Sequence, residues 1–155
     1  MIEEKCNIWT KWEAGEWVCI TTNNFVKRNG EAVMGRGVAR QAAFRFPGLA
    51  RELGERILVR GCTGNGKHSL DEASVKVFTS KRLVAFPVKF AWWEEADIGL
   101  IKHSAIQLVE EVLPAIEVDR IYLPRPGCGN GKLKWAGVKK ELDGILDERV
   151  IVVTV

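Results

Sequence analysis

The chain has 155 residues, enough for one domain that buries its own core without staples. Apolar residues make up 46% and charged residues 28%, a balance that excludes a disordered chain. Lys and Arg total 23 against 20 Asp and Glu; the resulting +3 is too small for a dedicated nucleic-acid binder, although it leaves room for a local basic patch.

Taken in chain order, Glu16–Thr22 is apolar and β-branched and predicts a buried strand. An Asn- and Gly-rich loop follows, NNFVKRNGEAVMGRG. Residues Val38–Phe46 have helical spacing that Pro47-Gly48 stops, and a short helix over Leu49–Arg56 comes next. Ile57–Cys62 reads as a strand, and GCTGNGKHS after it as a loop. Ser74–Thr79 and Leu83–Pro87 predict two strands joined by a polar turn at Ser80-Lys81-Arg82. Asp97 is placed to cap a helix running to about Val112, with Ile98, Ile101, Ala105, Leu108, Val109 and Val112 on one face. Arg120–Leu123 is a short strand entering the loop PRPGCGNGK. Trp135–Leu146 predicts a helix, and Val150–Val155 a fully buried strand.

Strands alternating with helices predict an α/β fold layered around a mostly parallel sheet. Ligands in such folds sit at the carboxyl ends of the strands. Asn29–Gly37 and Pro124–Gly131 are both Gly-rich, follow strands and precede helices, so both should lie at that edge. Glycines let backbone N–H groups approach an anion, and a helix N-terminus favours its charge. Either loop alone is weak evidence and reads more simply as a turn; the two together at one sheet edge raise a diphosphate site to an equal reading.

Other motifs are weaker. Gly61-x-x-x-x-Gly66-Lys67 approaches a phosphate-binding P-loop, but His68 replaces the Ser or Thr that would hold magnesium, and a strand follows where a helix should open. A surface loop is the simpler reading. Cys6, Cys19, Cys62 and Cys128 form no CxxC pair, which argues against zinc and for small structural thiols rather than disulfides. The N-terminus MIEEKCNIW has no leader pattern, and the apolar runs fall far short of the roughly 18 residues of a membrane span. A cytoplasmic protein without a membrane partner is expected. Of the six Trp, Trp9, Trp12 and Trp17 are expected in core or terminal packing. Trp92-Trp93 either packs over the sheet edge or stacks on adenine or another base.

The loops and their flanks resemble the macrodomain family, which binds ADP-ribose. The carrying residues are Ile20-Thr21-Thr22-Asn23, the run from Val33 to Ala43 (VMGRGVARQAA), Phe46-Pro47-Gly48, Leu123 to Gly129 (LPRPGCG) and Gly131 to Trp135 (GKLKW). The resemblance spans nearly the whole chain. It is nearest to the branch holding terminal ADP-ribose glycohydrolases, DNA-linked ADP-ribose glycohydrolase antitoxins and yeast-type ADP-ribose 1″-phosphate phosphatases. It implies one three-layer α/β/α macrodomain over residues 1–155 with a central mixed, mostly parallel sheet.

The resemblance also implies ligand contacts. Asn7, with Ile8 beside it, falls where the family has an Asp that accepts from the adenine amino group. Asn23, next to Thr22, matches the Asn that orients the distal ribose. Gly35, Arg36, Gly37 and Val38 match the first phosphate loop, and Pro126, Gly127, Cys128, Gly129, Asn130 and Gly131 the second. Trp92 is the candidate stacking residue, and Trp135 matches a Trp that anchors the second loop. Lys89 resembles the catalytic Lys at a strand end in the DNA-linked glycohydrolases, so Lys89 and Asn23 are the expected catalytic pair. Gly131 replaces an Asp that assists in the terminal glycohydrolases. The implied function is hydrolysis of an ADP-ribosyl linkage on DNA or protein. A non-catalytic ADP-ribose binder and an ADP-ribose 1″-phosphate phosphatase are the alternatives. No metal or cofactor is implied, and a monomer is expected.

Overall fold

The first two elements have no sequence signal. Strand β1 (Ile2–Lys5) is largely charged and lacks apolar alternation. It forms because β6 (Val150–Thr154) offers an unpaired edge, which β1 joins in parallel with Ile2 opposite Ile151. Helix α1 (Ile8–Glu13) follows at once, its first N–H groups capped by the Asn7 side chain, which accepts from Trp9 N at 2.9 Å. The computed structural model describes residues 1–59 and 63–154.

Strand β2 (Trp17–Asn23) leads into the first loop, helix α2 (Gly37–Arg45) and helix α3 (Leu49–Leu58). The strand expected from Ile57 is absent there, because Ile57 and Leu58 continue α3 instead. Leu49, Leu53 and Ile57 form an i, i+4 stripe that is fully buried, and this tertiary burial overrides the β-branched local preference. Residues 60–62, with Gly61 of the P-loop-like motif and Cys62, lie outside the described residues. The rest of that motif is loop, with a single bridge from Asn65 to Phe25.

Strands β3 (Lys76–Phe78) and β4 (Leu83–Lys89) pair antiparallel, joined by a short turn ending in a left-handed Arg82. Asp97 caps helix α4 (Ile98–Gln107) as expected, accepting from Leu100 N at 2.9 Å. The helix then widens by one π turn (Leu108–Val112) before α5 (Leu113–Ile116). Ile101, Ala105, Leu108 and Val112 of the expected face are buried, whereas Ile98 at the helix start stays exposed. Strand β5 (Ile121–Pro124), the second loop, helix α6 (Trp135–Leu142) and β6 complete the chain. Helix α6 stops at Leu142, short of the expected Leu146, and residues 143–145 form a turn around Gly144.

The six strands run β1-β6-β5-β2-β4-β3, all pairs parallel except β3 with β4. Side-chain alternation splits the core in two. Val18, Ile20, Leu83 and Ala85 face one way and meet α1, α2 and α3. Cys19, Val84, Phe86 and Val88 face the other way and meet α4, α5 and α6. The product is a three-layer α/β/α arrangement, and burial on both faces explains why β4 is buried at every position. Trp9 and Trp12 belong to the first core and Trp17 packs against the second, as their expected packing role requires. Among the described residues no helix is long and apolar enough to cross a membrane.

Candidate active site

The carboxyl ends of β2, β4 and β5 open into a cavity of about 500 Å³, within the usual range for small-ligand sites. One wall is the first loop with the start of α2: Gly35, Arg36, Gly37, Val38 and Ala39. The opposite wall is the second loop: Pro124, Arg125, Gly127, Gly129, Asn130, Gly131 and Lys132. The floor is Thr21, Thr22 and Asn23 of β2 with Val88 and Lys89 of β4. Trp92, Trp93, Glu94 and Glu95 complete the lining.

A ladder irregularity sets the floor. Thr22 pairs with Pro87, but Asn23 pairs with Lys89, so β4 carries one extra residue at this point. Pro87 has no N–H to give the ladder. Its carbonyl accepts instead from the buried Ser104 hydroxyl at 2.8 Å, tying this end of β4 to α4. The shift brings Asn23 and Lys89 side by side.

The Asn23 side chain is occupied by the first loop. Its Nδ2 donates to Val33 O at 3.1 Å and its Oδ1 accepts from Phe25 N at 3.0 Å. Asn23 therefore shapes the turn leading to Gly35. At the N-cap of α2 stands Arg36, whose side chain has no acceptor and makes no capping bond. The first-turn N–H groups of α2 thus lack the capping oxygen that most helices supply, at the point where they border the cavity. That is the arrangement an anion needs.

Lys89 is only 7% exposed. Its Nζ donates to Asn130 O at 3.3 Å, linking the sheet to the second loop. Burial holds its pKa below the ordinary lysine value, and the like charges of Lys132 and Arg36 push the same way. Arg36 also donates to Asn130 Oδ1 at 3.5 Å, so the rims of the two loops meet over the cavity. Arg125 is partly engaged elsewhere, 3.7 Å from Glu3 and over the Trp135 ring. Trp135 donates to Glu3 at 2.8 Å, so it ties the second loop to edge strand β1.

Most residues expected at the site converge here: Thr22, Asn23, Gly35, Arg36, Gly37, Val38, Lys89, Trp92, Gly127, Gly129, Asn130 and Gly131. Four do not line the cavity. Asn7 is an exposed helix cap and Ile8 is buried in the first core. Pro126 is buried, and Cys128 points its Sγ toward Pro126 O at 3.5 Å and packs against the second core. Arg125, Lys132, Glu94 and Glu95 join the lining without having been singled out. Their one sequence signal is charge directly beside the Gly-rich loop or the Trp pair. Among the described residues no group of His, Cys, Asp and Glu is placed to hold a metal.

This fold, a mixed sheet between helical layers with two glycine loops at one edge, is that of a macrodomain. The macrodomain of Thermus aquaticus DarG matches it with a TM-score of 0.71 at 24% identity, covering 99% of this chain and 97% of that one. The structure described as Thermosipho africanus DarTG in complex with ADP-ribose matches at 0.59 and 20% identity, over 89% of this chain and 37% of that one. In sequence, the DNA ADP-ribosyl glycohydrolases of Mycobacterium bovis and Mycobacterium tuberculosis are each 28% identical over 114 residues, 74% of this chain. The match spans 32% of either relative, about a third of its length. No family model matches.

Proposed function

We propose that the protein binds ADP-ribose across this cavity and hydrolyses an ADP-ribosyl linkage on DNA, with Lys89 as the nucleophile. The carrying observation is a buried strand-end lysine, its pKa lowered, between two glycine loops built to receive a diphosphate. The similarity to relatives named DNA ADP-ribosyl glycohydrolase, and to a structure containing ADP-ribose, supports the same reading.

The diphosphate sits between the uncapped start of α2 and the second loop, with Arg36 and Lys132 beside it. The distal ribose then faces Lys89 on the floor. A desolvated lysine near other cations holds more of its amine in the neutral, nucleophilic form. The Lys89 nitrogen bonds to the anomeric carbon as that carbon's bond to the base breaks. The base leaves with the electron pair and takes up the proton the amine sheds. Water then bonds to the same carbon as the bond to Lys89 breaks, and one water proton passes to the departing nitrogen, which restores the amine. Asn23 holds the first loop and hence the ribose in register.

Lys89→Ala tests this. Release of ADP-ribose from an ADP-ribosylated oligonucleotide should fall about a hundred-fold or more. Calorimetry should still detect ADP-ribose binding. A wild-type protein that binds ADP-ribose but releases none from the oligonucleotide is a binder, and the catalytic reading fails.

A further inference from the structure

Trp92 and Trp93 are 51% and 59% exposed, unusual for the largest apolar side chain. Neither is loose. Trp93 packs edge-on against Phe25 with centroids 5.3 Å apart, and Trp92 stands at 90° to Trp93 at 5.5 Å. Phe25 is itself fixed through Asn23. The segment is tied at both ends, by Glu94 N to Ala91 O at 3.2 Å and Asp97 N to Val88 O at 2.9 Å. Two braced indoles therefore present open ring surface where the cavity meets solvent.

Two carboxylates accompany them. Glu94 is taken by His68, whose ring nitrogen lies 2.6 Å away and whose ring stacks on Phe90. Glu95 is exposed and has no hydrogen bond or ion pair among the described residues. A carboxylate only accepts, and its two oxygens suit a partner with two adjacent N–H donors. Stacking on an aromatic ring is indifferent to which base is stacked, so identity must come from edge contacts.

We propose that Trp92, Trp93 and Glu95 form a base-reading subsite at the solvent mouth of the cavity, beside the stretch that takes ADP-ribose, which receives an unpaired base flanking the modified nucleotide and prefers guanine. Guanine alone among the bases places two N–H donors, N1–H and the N2 amino group, side by side on its pairing edge. In a duplex that edge is already bonded, so the subsite selects single strands. This rests on the DNA-directed reading above and adds a flanking-base contact and its preference. It also accounts for carboxylates beside a site meant for an anionic polymer: Glu95 addresses a base edge, while Arg36 and Lys132 address phosphate.

The test follows tryptophan fluorescence while wild-type protein is titrated with short unmodified oligonucleotides, all-thymine or with one central guanine, single-stranded or annealed. Single strands should quench, the guanine strand best, and duplexes little. Trp92→Ala should weaken that binding about five- to hundred-fold, the range one stacked base provides. Glu95→Gln should remove the guanine preference while leaving binding to the all-thymine strand. Free ADP-ribose should bind alongside the oligonucleotide. Displacement of the oligonucleotide by ADP-ribose, absence of quenching, equal binding of duplex, or stronger quenching by an arginine-containing peptide each overturns the subsite. Failure of the wild type to bind free ADP-ribose in calorimetry instead sinks the reading of the main cavity, so the two failures are distinguishable.

Discussion

The two glycine loops look alike as sequence but are glycine-rich for different physical reasons. In the first loop, a Cβ added at Gly35 or Gly37 would meet nothing within 4 Å. The space beside Gly35 is the cavity, so what it leaves room for is a ligand, while Gly37 is needed for its left-handed backbone as well, with φ of +61°. In the second loop, a Cβ at Gly131 would lie 2.6 Å from Gly127 O and 2.7 Å from the Ala96 methyl. Gly127 is also left-handed, with φ of +77°, and its Cβ would lie 2.8 Å from Ile101. Those glycines let the loop fold back on itself and on α4. The first loop is open at Gly35 and Gly37, whereas the second combines packing glycines at 127 and 131 with an open Gly129 that faces the cavity.

Gly35→Glu should break this contrast most severely from the binding side. The carboxylate would enter the cavity beside the diphosphate, and ADP-ribose affinity should drop by about a hundred-fold or more. Melting temperature should barely move, because the position is open and its φ ordinary. Unchanged affinity in calorimetry would refute the assignment of the phosphate wall.

Gly131→Ala should do the reverse. The added methyl displaces backbone, so stability should fall by about 1–3 kcal/mol, read as roughly 2–4 °C of melting temperature for each kcal/mol. Thermal denaturation that is indistinguishable from wild type would mean the second loop is as open as the first.

The smallest effect concerns charge shared between the walls. Lys132 of the second loop and Arg36 of the first both depress the Lys89 pKa, after burial. Turnover should rise with pH as Lys89 loses its proton. In Lys132→Met the pKa climbs back toward the ordinary value, so the rising limb should move to higher pH, and less so at high salt. A limb that stays put would remove Lys132 from the electrostatics of the site. Stability follows the same sign. The folded state sheds the Lys89 proton at lower pH than the unfolded chain does. The penalty on folding is therefore full below the folded pKa and fades as pH rises through it.

Much of this was legible beforehand. β2, α2 and the cap at Asp97 follow from apolar pattern and local chemistry, and those signals survive in the fold. β1 was illegible because its residues are charged and its pairing partner, β6, lies at the other end of the chain. Ile57 misled because a β-branched residue satisfies a strand pattern and a buried helix stripe equally well. The modest net charge concealed a cavity lined by Arg36, Lys89, Arg125 and Lys132, since charge totals carry no position. Glu95 was missed because its one signal, charge beside the Trp pair, does not separate a site residue from a solvated one.

Lys89 was marked only by the family resemblance, but the chain's own pattern specified the alternation of strands and helices and the two glycine loops. These rest on interactions between near neighbours, which a linear pattern records. Tertiary structure decided the rest. It brought Lys89 beside Asn23 through one extra residue in β4, set Asn130 against both Lys89 and Arg36, and left Trp92 and Trp93 braced in the open. Each of those depends on groups distant in sequence meeting within a few ångströms, and only the closed sheet and its packed helices supply that distance information.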